Sequence, residues 1–353
     1  MMRIKIILSV CAFMMLSGCA GIGPGTVTRD RFDYTTVLSD SWKSQMLINI
    51  VKLRYRDAPV FLDVASVINS YEVSGKGIGG GTWTFHPSYG SGANIGGEVF
   101  SANRPTITYN PLTGERFART LMNPVPPSTI VSLLQAGYAA DSVFRVLVQS
   151  INGIRNRYGG GAVAHPADPE FYTLIEKIRR IQTSGAIGLR LQSQSESMVV
   201  FRGNVDEKIE AEMLQVRKML GLDPRAREFK VVYGQISGND KEIAILSRSM
   251  LQVMLDLASF VEVPEIHLAE KRAVQELKDE SVGGIPVPPL MHIKSSSGKP
   301  DDAFVAVPYR SHWFWIDDKD LRSKGLFSFL MFIFTLVETG GKEGAPVVTV
   351  PVR

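Results

Sequence analysis

The sequence predicts an α+β chain, with mixed helices, short antiparallel sheets and a long glycine-rich β-hairpin in its N-terminal half. Three observations carry this reading. Apolar residues recur at helical spacing in several separate stretches, a two-residue alternation runs from Val67 to Tyr109, and short apolar runs bounded by glycine and proline lie between the helical stretches of the second half.

The first helix is expected over 39–55, where Trp42, Met46, Ile50 and Leu53 share one face, Ser39 stands at the N-cap and Pro59 forbids continuation. Residues 60–68 then turn β-like. Along 67–109, the positions Tyr71, Val73, Gly75, Gly77, Gly79, Gly81, Trp83 and Phe85 alternate with the more polar Glu72, Ser74, Lys76, Thr82 and Thr84. The return limb repeats the pattern with Ala93, Ile95, Gly97 and Val99 against Asn94 and Glu98, and 86–90 supplies the turn chemistry. Gly75-Lys76-Gly77-Ile78-Gly79-Gly80 formally fits a dinucleotide fingerprint. A phosphate-cradling loop must open a helix, whereas 81–85 continues as strand, so the stretch is assigned to the hairpin.

Strand 105–109 and helices over 115–122, 128–134 and 141–158 follow. The glycine-rich stretch 159–169 marks a boundary between an N-terminal domain, 31–165, and a C-terminal domain, 166–353. The second half opens with a helix from Asp168 at the N-cap and Pro169 at the first helical position, ended by Gly185. Strands 187–191 and 198–201, helix 206–220 and strand 228–236 come next. The longest helical pattern, 242–261, aligns Ile243, Leu246, Met250, Val253, Leu257 and Phe260, and a further helix is expected over 265–278. A hairpin over 303–316 turns at Arg310-Ser311. Helix 318–338 is apolar almost all round and is assigned to the core, with strand 347–352 closing the chain.

At the N-terminus, Arg3 and Lys5 precede an apolar run over 6–16, too short for a permanent span of about 20 residues, so it reads as a removable export signal. The stretch Leu16-Ser17-Gly18-Cys19 resembles the lipobox of bacterial lipoproteins. That resemblance implies a signal peptide over 1–18, a diacylglycerol on the Cys19 thiol and a mature chain starting at Cys19. The non-acidic Ala20 that follows implies transfer to the outer membrane, with the body facing the periplasm. Residues 19–30 are rich in glycine and read as a flexible tether.

Composition narrows the function classes. Removing Arg3 and Lys5 from the 39 basic residues leaves 37 against 35 acidic ones, a balance of +2 without basic blocks, which gives no electrostatic case for nucleic acid. Cys11 leaves with the signal and Cys19 takes lipid, so no thiol is left for a disulfide, thiolate catalysis or a cysteine-based zinc site. None of His86, His165, His267, His292 and His312 sits at metal-ligand spacing, and neither a metal nor a cofactor is expected.

Four local patterns touch on chemistry. His267 and Glu270 lie one helical turn apart and would suit general-base work if they faced each other. Ser296-Ser297-Gly298-Lys299 fits the S-x-x-K spacing of penicillin-binding enzymes, yet Gly298 and Pro300 make a turn there and the downstream elements are missing. Asp317-Asp318-Lys319-Asp320 reads as a helix N-cap. Leu268 to Ala273 resembles the L-S-x-x-R-A helix of outer-membrane protein A type peptidoglycan-binding domains, but alanine replaces the serine, and the function is not carried to Arg272.

The sequence therefore points to a lipid-anchored, non-enzymatic assembly or interaction module of the cell envelope, with the membrane and envelope proteins or further copies of itself as partners. Two alternatives stay open. One is a periplasmic enzyme of unstated reaction. The other is an oligomeric outer-membrane pore or export component, similar in layout to curli-type export lipoproteins, in which hairpin 67–109 meets the membrane or its neighbours through Tyr71, Val73, Trp83, Phe85, Ile95 and Val99.

Overall fold

Helix α1 (Pro24–Arg54) is the first described element of the computed structural model, which describes residues 24–68, 71–82, 92–103, 106–160, 164–191, 197–273, 281–282 and 285–338. It starts earlier than expected and takes up 24–30, part of the stretch read as a tether. Proline at a helix start gives up no hydrogen bond, because the first amides of a helix have no partner in any case. Only the later turns carry a buried stripe, Met46, Leu47, Ile50 and Val51, whereas Phe32 and Val37 are exposed. Buried Asn49 then clamps the chain beyond the helix, its Nδ2 donating to the Val60 carbonyl at 2.7 Å and its Oδ1 accepting from the Val60 amide at 2.8 Å.

By its contacts the chain divides into two compact units, one containing Phe61–Leu112 with the residues up to Asp40, the other Ser41–Val60 with Thr113–Glu343. The smaller unit is a β-ribbon: β1 (Leu62–Ile68), β2 (Tyr71–Thr82), β3 (Gly92–Asn103) and β4 (Thr106–Pro111). β1 pairs with β4 and β2 with β3, both antiparallel. The turn expected at 86–90 lies outside the described residues.

The larger unit runs through α2 (Gly114–Phe117), a π turn (Ala118–Met122), α3 (Pro127–Gln135), α4 (Ala140–Leu147), β5 (Val148–Ile151) and β6 (Ile154–Arg155). It continues with α5 (Pro169–Thr183), β7 (Ile187–Leu191), β8 (Ser197–Phe201), α6 (Glu207–Met219), β9 (Glu228–Tyr233), β10 (Glu242–Ser247), α7 (Met250–Ala258) and α8 (Glu265–Ala269). The small pair β11 (Ser281–Val282) and β12 (Ile285–Pro286) precedes β13 (Lys294–Ser296), β14 (Ala303–Tyr309), β15 (His312–Asp317) and α9 (Leu321–Glu338).

A six-stranded sheet in the order β6-β5-β10-β9-β8-β7 organises this unit, with α5 packed against α4 and α6, and β13-β15-β14 forms a second sheet. Strands from both sides of residues 159–169 share the larger sheet, so the domain boundary expected there does not divide the molecule.

Two expected helices are each a strand joined to a helix. Over 141–158 the helix stops at Leu147, and β5 and β6 follow around Asn152-Gly153, both at positive φ (44° and 85°), the backbone of a type I′ hairpin turn. Over 242–261, β10 comes first. It pairs parallel with β9 and antiparallel with β5, so Ile243, Ala244 and Ile245 are all buried and the strand reads as an unbroken apolar run. Helix α7 then starts at Ser249, whose hydroxyl accepts from the Gln252 amide while the Gln252 side chain accepts from the Ser249 amide.

Helix α8 ends at Ala269 rather than 278, with Lys271 at φ 57° just beyond. The Arg310-Ser311 turn forms where expected, both residues at positive φ (47° and 66°). Helix α9 buries Phe327, Leu330, Ile333 and Phe334, but Leu321, Phe332 and Leu336 are exposed, so it is a core helix with an uncovered side rather than one buried all round. Strand 347–352 lies outside the described residues.

Candidate functional site

The ribbon earns attention through its register. Ile68 stands opposite Thr106 and Tyr71 opposite Asn103, three residues further along on each strand, so the β1·β4 and β2·β3 ladders keep the same offset. Directly opposed positions of an antiparallel pair share a face, and alternate positions share it along each strand. One face of β2 and β3 therefore holds positions 71, 73, 75, 77, 79 and 81 with 93, 95, 97, 99, 101 and 103, and none of them is charged. Glu72, Lys76 and Glu98 all occupy the other face, with Lys76 opposite Glu98.

The β1·β4 end keeps the same sidedness by one irregularity. The register slips by a residue between Val64 and Ser66, leaving Ala65 as the extra residue of a β-bulge. Because of it, even-numbered Leu62 and Val64 join odd-numbered Val67, Ile107 and Tyr109 on the uncharged face, while Asp63, Ser66, Thr108 and Asn110 take the other. Val64, Ile107 and Tyr109 are exposed, at 37%, 38% and 51%.

Of the residues singled out in the sequence, Cys19, Trp83 and Phe85 lie outside the described residues. Tyr71, Val73, Ile95 and Val99 hold register positions on the uncharged face of β2 and β3, Val73 opposite Ser101, Ile95 opposite Gly79 and Val99 opposite Gly75.

The polar groups of the larger unit are committed to the fold. Arg248, fully buried after β10, donates from Nη1 to Asp256 Oδ2 (3.0 Å) and to the carbonyls of Arg145 and Val146, and from Nη2 to the Arg157 carbonyl. Asp256 is also buried, and its Oδ1 accepts from Arg157 Nη1 (3.1 Å) and from the Gly159 amide (2.5 Å). Arg157 lies over the Phe260 ring at 4.4 Å and Arg248 over Tyr158 at 5.6 Å. Glycine at 159 is required by packing, since a Cβ there would collide with the Ser259 hydroxyl. Nothing in the sequence spacing announced this network, because Arg157, Arg248 and Asp256 meet only when the ends of β6, β10 and α7 converge.

The histidine pattern comes apart in the structure. Glu270 is paired with Arg272 (2.5 Å), while His267 Nδ1 faces the Tyr55 hydroxyl at 2.7 Å, both residues buried. Burial pushes the Tyr55 phenol up to about 12 and lowers the His267 imidazole, with His312, whose ring centre is 4.8 Å away, adding to the latter. Tyr55 is thus the donor and neutral His267 the acceptor. Beside them Asp57 accepts from the Tyr309 hydroxyl and from Arg310, which holds its carboxyl below the ordinary range. These bonds tie the end of α1 to α8 and to the β14–β15 turn.

His292, Asp320 and Ser323 lie together but not in the order of a hydrolytic triad. Ser323 Oγ donates to Asp320 Oδ2 (2.6 Å) and accepts from the His292 amide (2.9 Å), and Asp320 Oδ1 accepts from the Ser323 amide (3.0 Å). The serine is buried at 1% exposure, and the imidazole meets the carboxylate at 3.2 Å rather than the hydroxyl. Asp320 is held down at about 2; burial opposes its charge, and the Ser323 hydroxyl, the Ser323 amide and His292 outweigh that. The arrangement is the N-cap of α9 expected from the aspartate cluster. Ser296 spends its hydroxyl on the Gly298 carbonyl (2.8 Å), and Lys299 lies over the Trp313 ring at 5.7 Å, so the S-x-x-K stretch is a turn.

A groove of about 350 Å³ runs between Tyr138, Arg145, Leu290, Arg322 and Phe329, beside the exposed side of α9, where Tyr138 stacks on Phe332 with ring centres 6.0 Å apart. Among the described residues no group of three His, Cys, Asp or Glu side chains is placed to hold a metal ion, and no helix is long and apolar enough to cross a membrane. Comparison with protein-family models, with curated proteins and with solved structures gives no significant match.

Proposed function

We propose that the protein is a lipid-anchored component of the bacterial cell envelope that acts as a non-enzymatic assembly module, attached through Cys19 and engaging its partners through the ribbon. The observation that carries the reading is the sidedness of β1–β4. β2 and β3 carry an uncharged face, the same pairing offset gives β1 and β4 one as well, and a bulge at Ala65 keeps Leu62 and Val64 on it where the two-residue period would otherwise turn them over. A face kept in phase in this way, with Val64, Ile107 and Tyr109 exposed on it, is what a contact surface requires. The commitment of the Ser296 and Ser323 hydroxyls to folding bonds supports the same reading, since neither is left to act as a nucleophile.

The export segment and lipobox motivate the anchor. Cys19→Ser removes the acylation site, so the variant is expected to accumulate as uncleaved precursor without a palmitate or diacylglycerol adduct, and intact-mass measurement of the wild type should place the lipid on Cys19. A wild-type mass lacking any adduct, with the mature chain recovered in the soluble fraction, would overturn the anchored reading.

A further inference from the structure

We infer that the ribbon crosses the outer membrane and closes only with further copies of this chain, the β2 edge of one copy pairing with the β3 edge of the next until the ring shuts into a β-barrel. The inference rests on the lipid-anchored reading and names the partner.

Four features lead to it. The first is length: β2 and β3 are 12 residues each, and a tilted transmembrane strand needs about 9 to 11. The second is the division of charge. Asp63, Glu72, Lys76 and Glu98 all fall on one face of the ribbon, as lumen-facing positions do when the opposite face meets lipid. Ile68, Ile78 and Phe100 are the large apolar positions of that charged face, and a lumen tolerates them, whereas a charge on the lipid face would not be tolerated.

The third is the backbone. β2 and β3 form a two-stranded sheet among the described residues, and an isolated two-stranded ribbon is marginal in water. In hydrocarbon its outer amides and carbonyls must be paired, which only another strand achieves. One edge of the ribbon is β2 and the other β3, so identical copies meet by unlike edges, the heterologous contact that closes into a ring when the rotation fits. The fourth is the position of the aromatics. Tyr71 and Tyr109 stand on the uncharged face, at and beyond the end of the 12-residue section, where an interfacial girdle belongs.

The geometry sets two properties of the assembly. A barrel of about 8 strands fills its interior with side chains, so an open lumen needs more than about four copies. Each copy brings Asp63, Glu72, Glu98 and Lys76 to the lumen face, an excess of two negative charges, so the pore prefers cations.

The test uses the full lipidated chain, purified in detergent and reconstituted into phosphatidylethanolamine–phosphatidylglycerol vesicles loaded with carboxyfluorescein. Light scattering should show one ring species larger than a tetramer, and the vesicles should release dye. Val73→Asp and Ile95→Asp, on the lipid face, should each reduce release more than tenfold and dissociate the ring, whereas Ser74→Asp and Asn94→Asp, on the lumen face, should leave both intact. In planar bilayers under a KCl gradient the reversal potential should mark cation preference, and Glu98→Lys should move it toward the anion side. This second readout stands even if an aspartate variant fails to fold. A wild type that is monomeric yet carries its lipid and pellets with membranes overturns the barrel and leaves the anchor standing, while one without lipid overturns the anchor. Equal sensitivity of the two faces, or an unmoved reversal potential with Glu98→Lys, also overturns the barrel.

Discussion

In the larger unit a buried charge is surrounded by several partners: Arg248 reaches one carboxylate and three carbonyls, and Asp256 answers two arginines and an amide. In the ribbon the charges sit together on one face and the opposite face is occupied by glycine and a few aliphatic positions. The first region meets its buried charges with partners of its own. The second completes its ladder only between paired strands among the described residues. A unit that meets its own buried charges keeps its shape unaided, whereas an unextended strand edge is where a further strand can add.

The sharpest way to test the contrast is to break the buried network. Asp256→Ala leaves Arg248 and Arg157 without their counter-charge and should destabilise the larger unit by about 3 to 5 kcal/mol, read from chemical denaturation. Replacing Arg248 and Asp256 together by Met and Leu should recover part of that loss, because the fully buried arginine is gone and only Arg157, at the edge of the cluster, is left without its carboxylate. If the single substitution is nearly neutral, the network is not what completes this unit.

Asn152 is the next lever. Its side chain donates to the Leu220 carbonyl (2.7 Å) and accepts from the Ala244 amide (2.6 Å), besides holding the turn at positive φ. Asn152→Ala should cost about 1 to 3 kcal/mol on the same measurement. The cap of α9 is smaller still. Asp320→Asn should cost about 1 kcal/mol near neutral pH. Because the folded carboxyl titrates below its ordinary value of 3.8, its contribution is complete above that value and fades as pH falls toward about 2. The stability curves of wild type and variant should therefore converge in acid, and a gap that widens there would mean that the carboxylate is not the stabilising form.

The smallest expected effect on the unfolding transition comes from the ribbon. Ile95→Asp should leave the main transition within about 0.5 kcal/mol, since the buried core of the larger unit draws on its own residues. A shift of several degrees would show that the two regions are not completed separately.

How far the sequence foretold this molecule depends on which signal was local. The alternation along 71–82 and 92–103 was legible because an antiparallel pair with one uncharged face leaves a two-residue period on the chain itself, while the turn read between its limbs lies outside the described residues. The α9 cap and the Arg310-Ser311 turn were legible for the same reason, their chemistry being confined to neighbours. β10 was not, because a strand buried on both faces loses its alternation, and Ile243 and Leu246 then merge with the helical stripe of α7. Two local marks pointed the other way. Asn152-Gly153 is a hairpin signature inside what reads as a helix, and Ser249 with Gln252 is a capping box in the middle of another. The Arg157–Asp256–Arg248 cluster left no local mark, since its members are brought together by the topology of the sheet.

The bulge at Ala65 carries a rule about which changes of length this chain can accept. A strand has only two sides, so sidedness is a parity, and Ala65 is the one place where the parity is reset. Residues gained or lost in matched pairs on β2 and β3 would lengthen or shorten the ribbon without disturbing what faces where. A single-residue deletion at 65 would remove the bulge and leave Val64 opposite Tyr109 and Leu62 opposite Pro111 as before, whereas a single insertion elsewhere in β1 would turn the residues before it over to the charged face unless a second bulge absorbed it. Length variation among natural or designed forms of this ribbon should accordingly come in even steps, with odd steps admitted only where a bulge is created or removed.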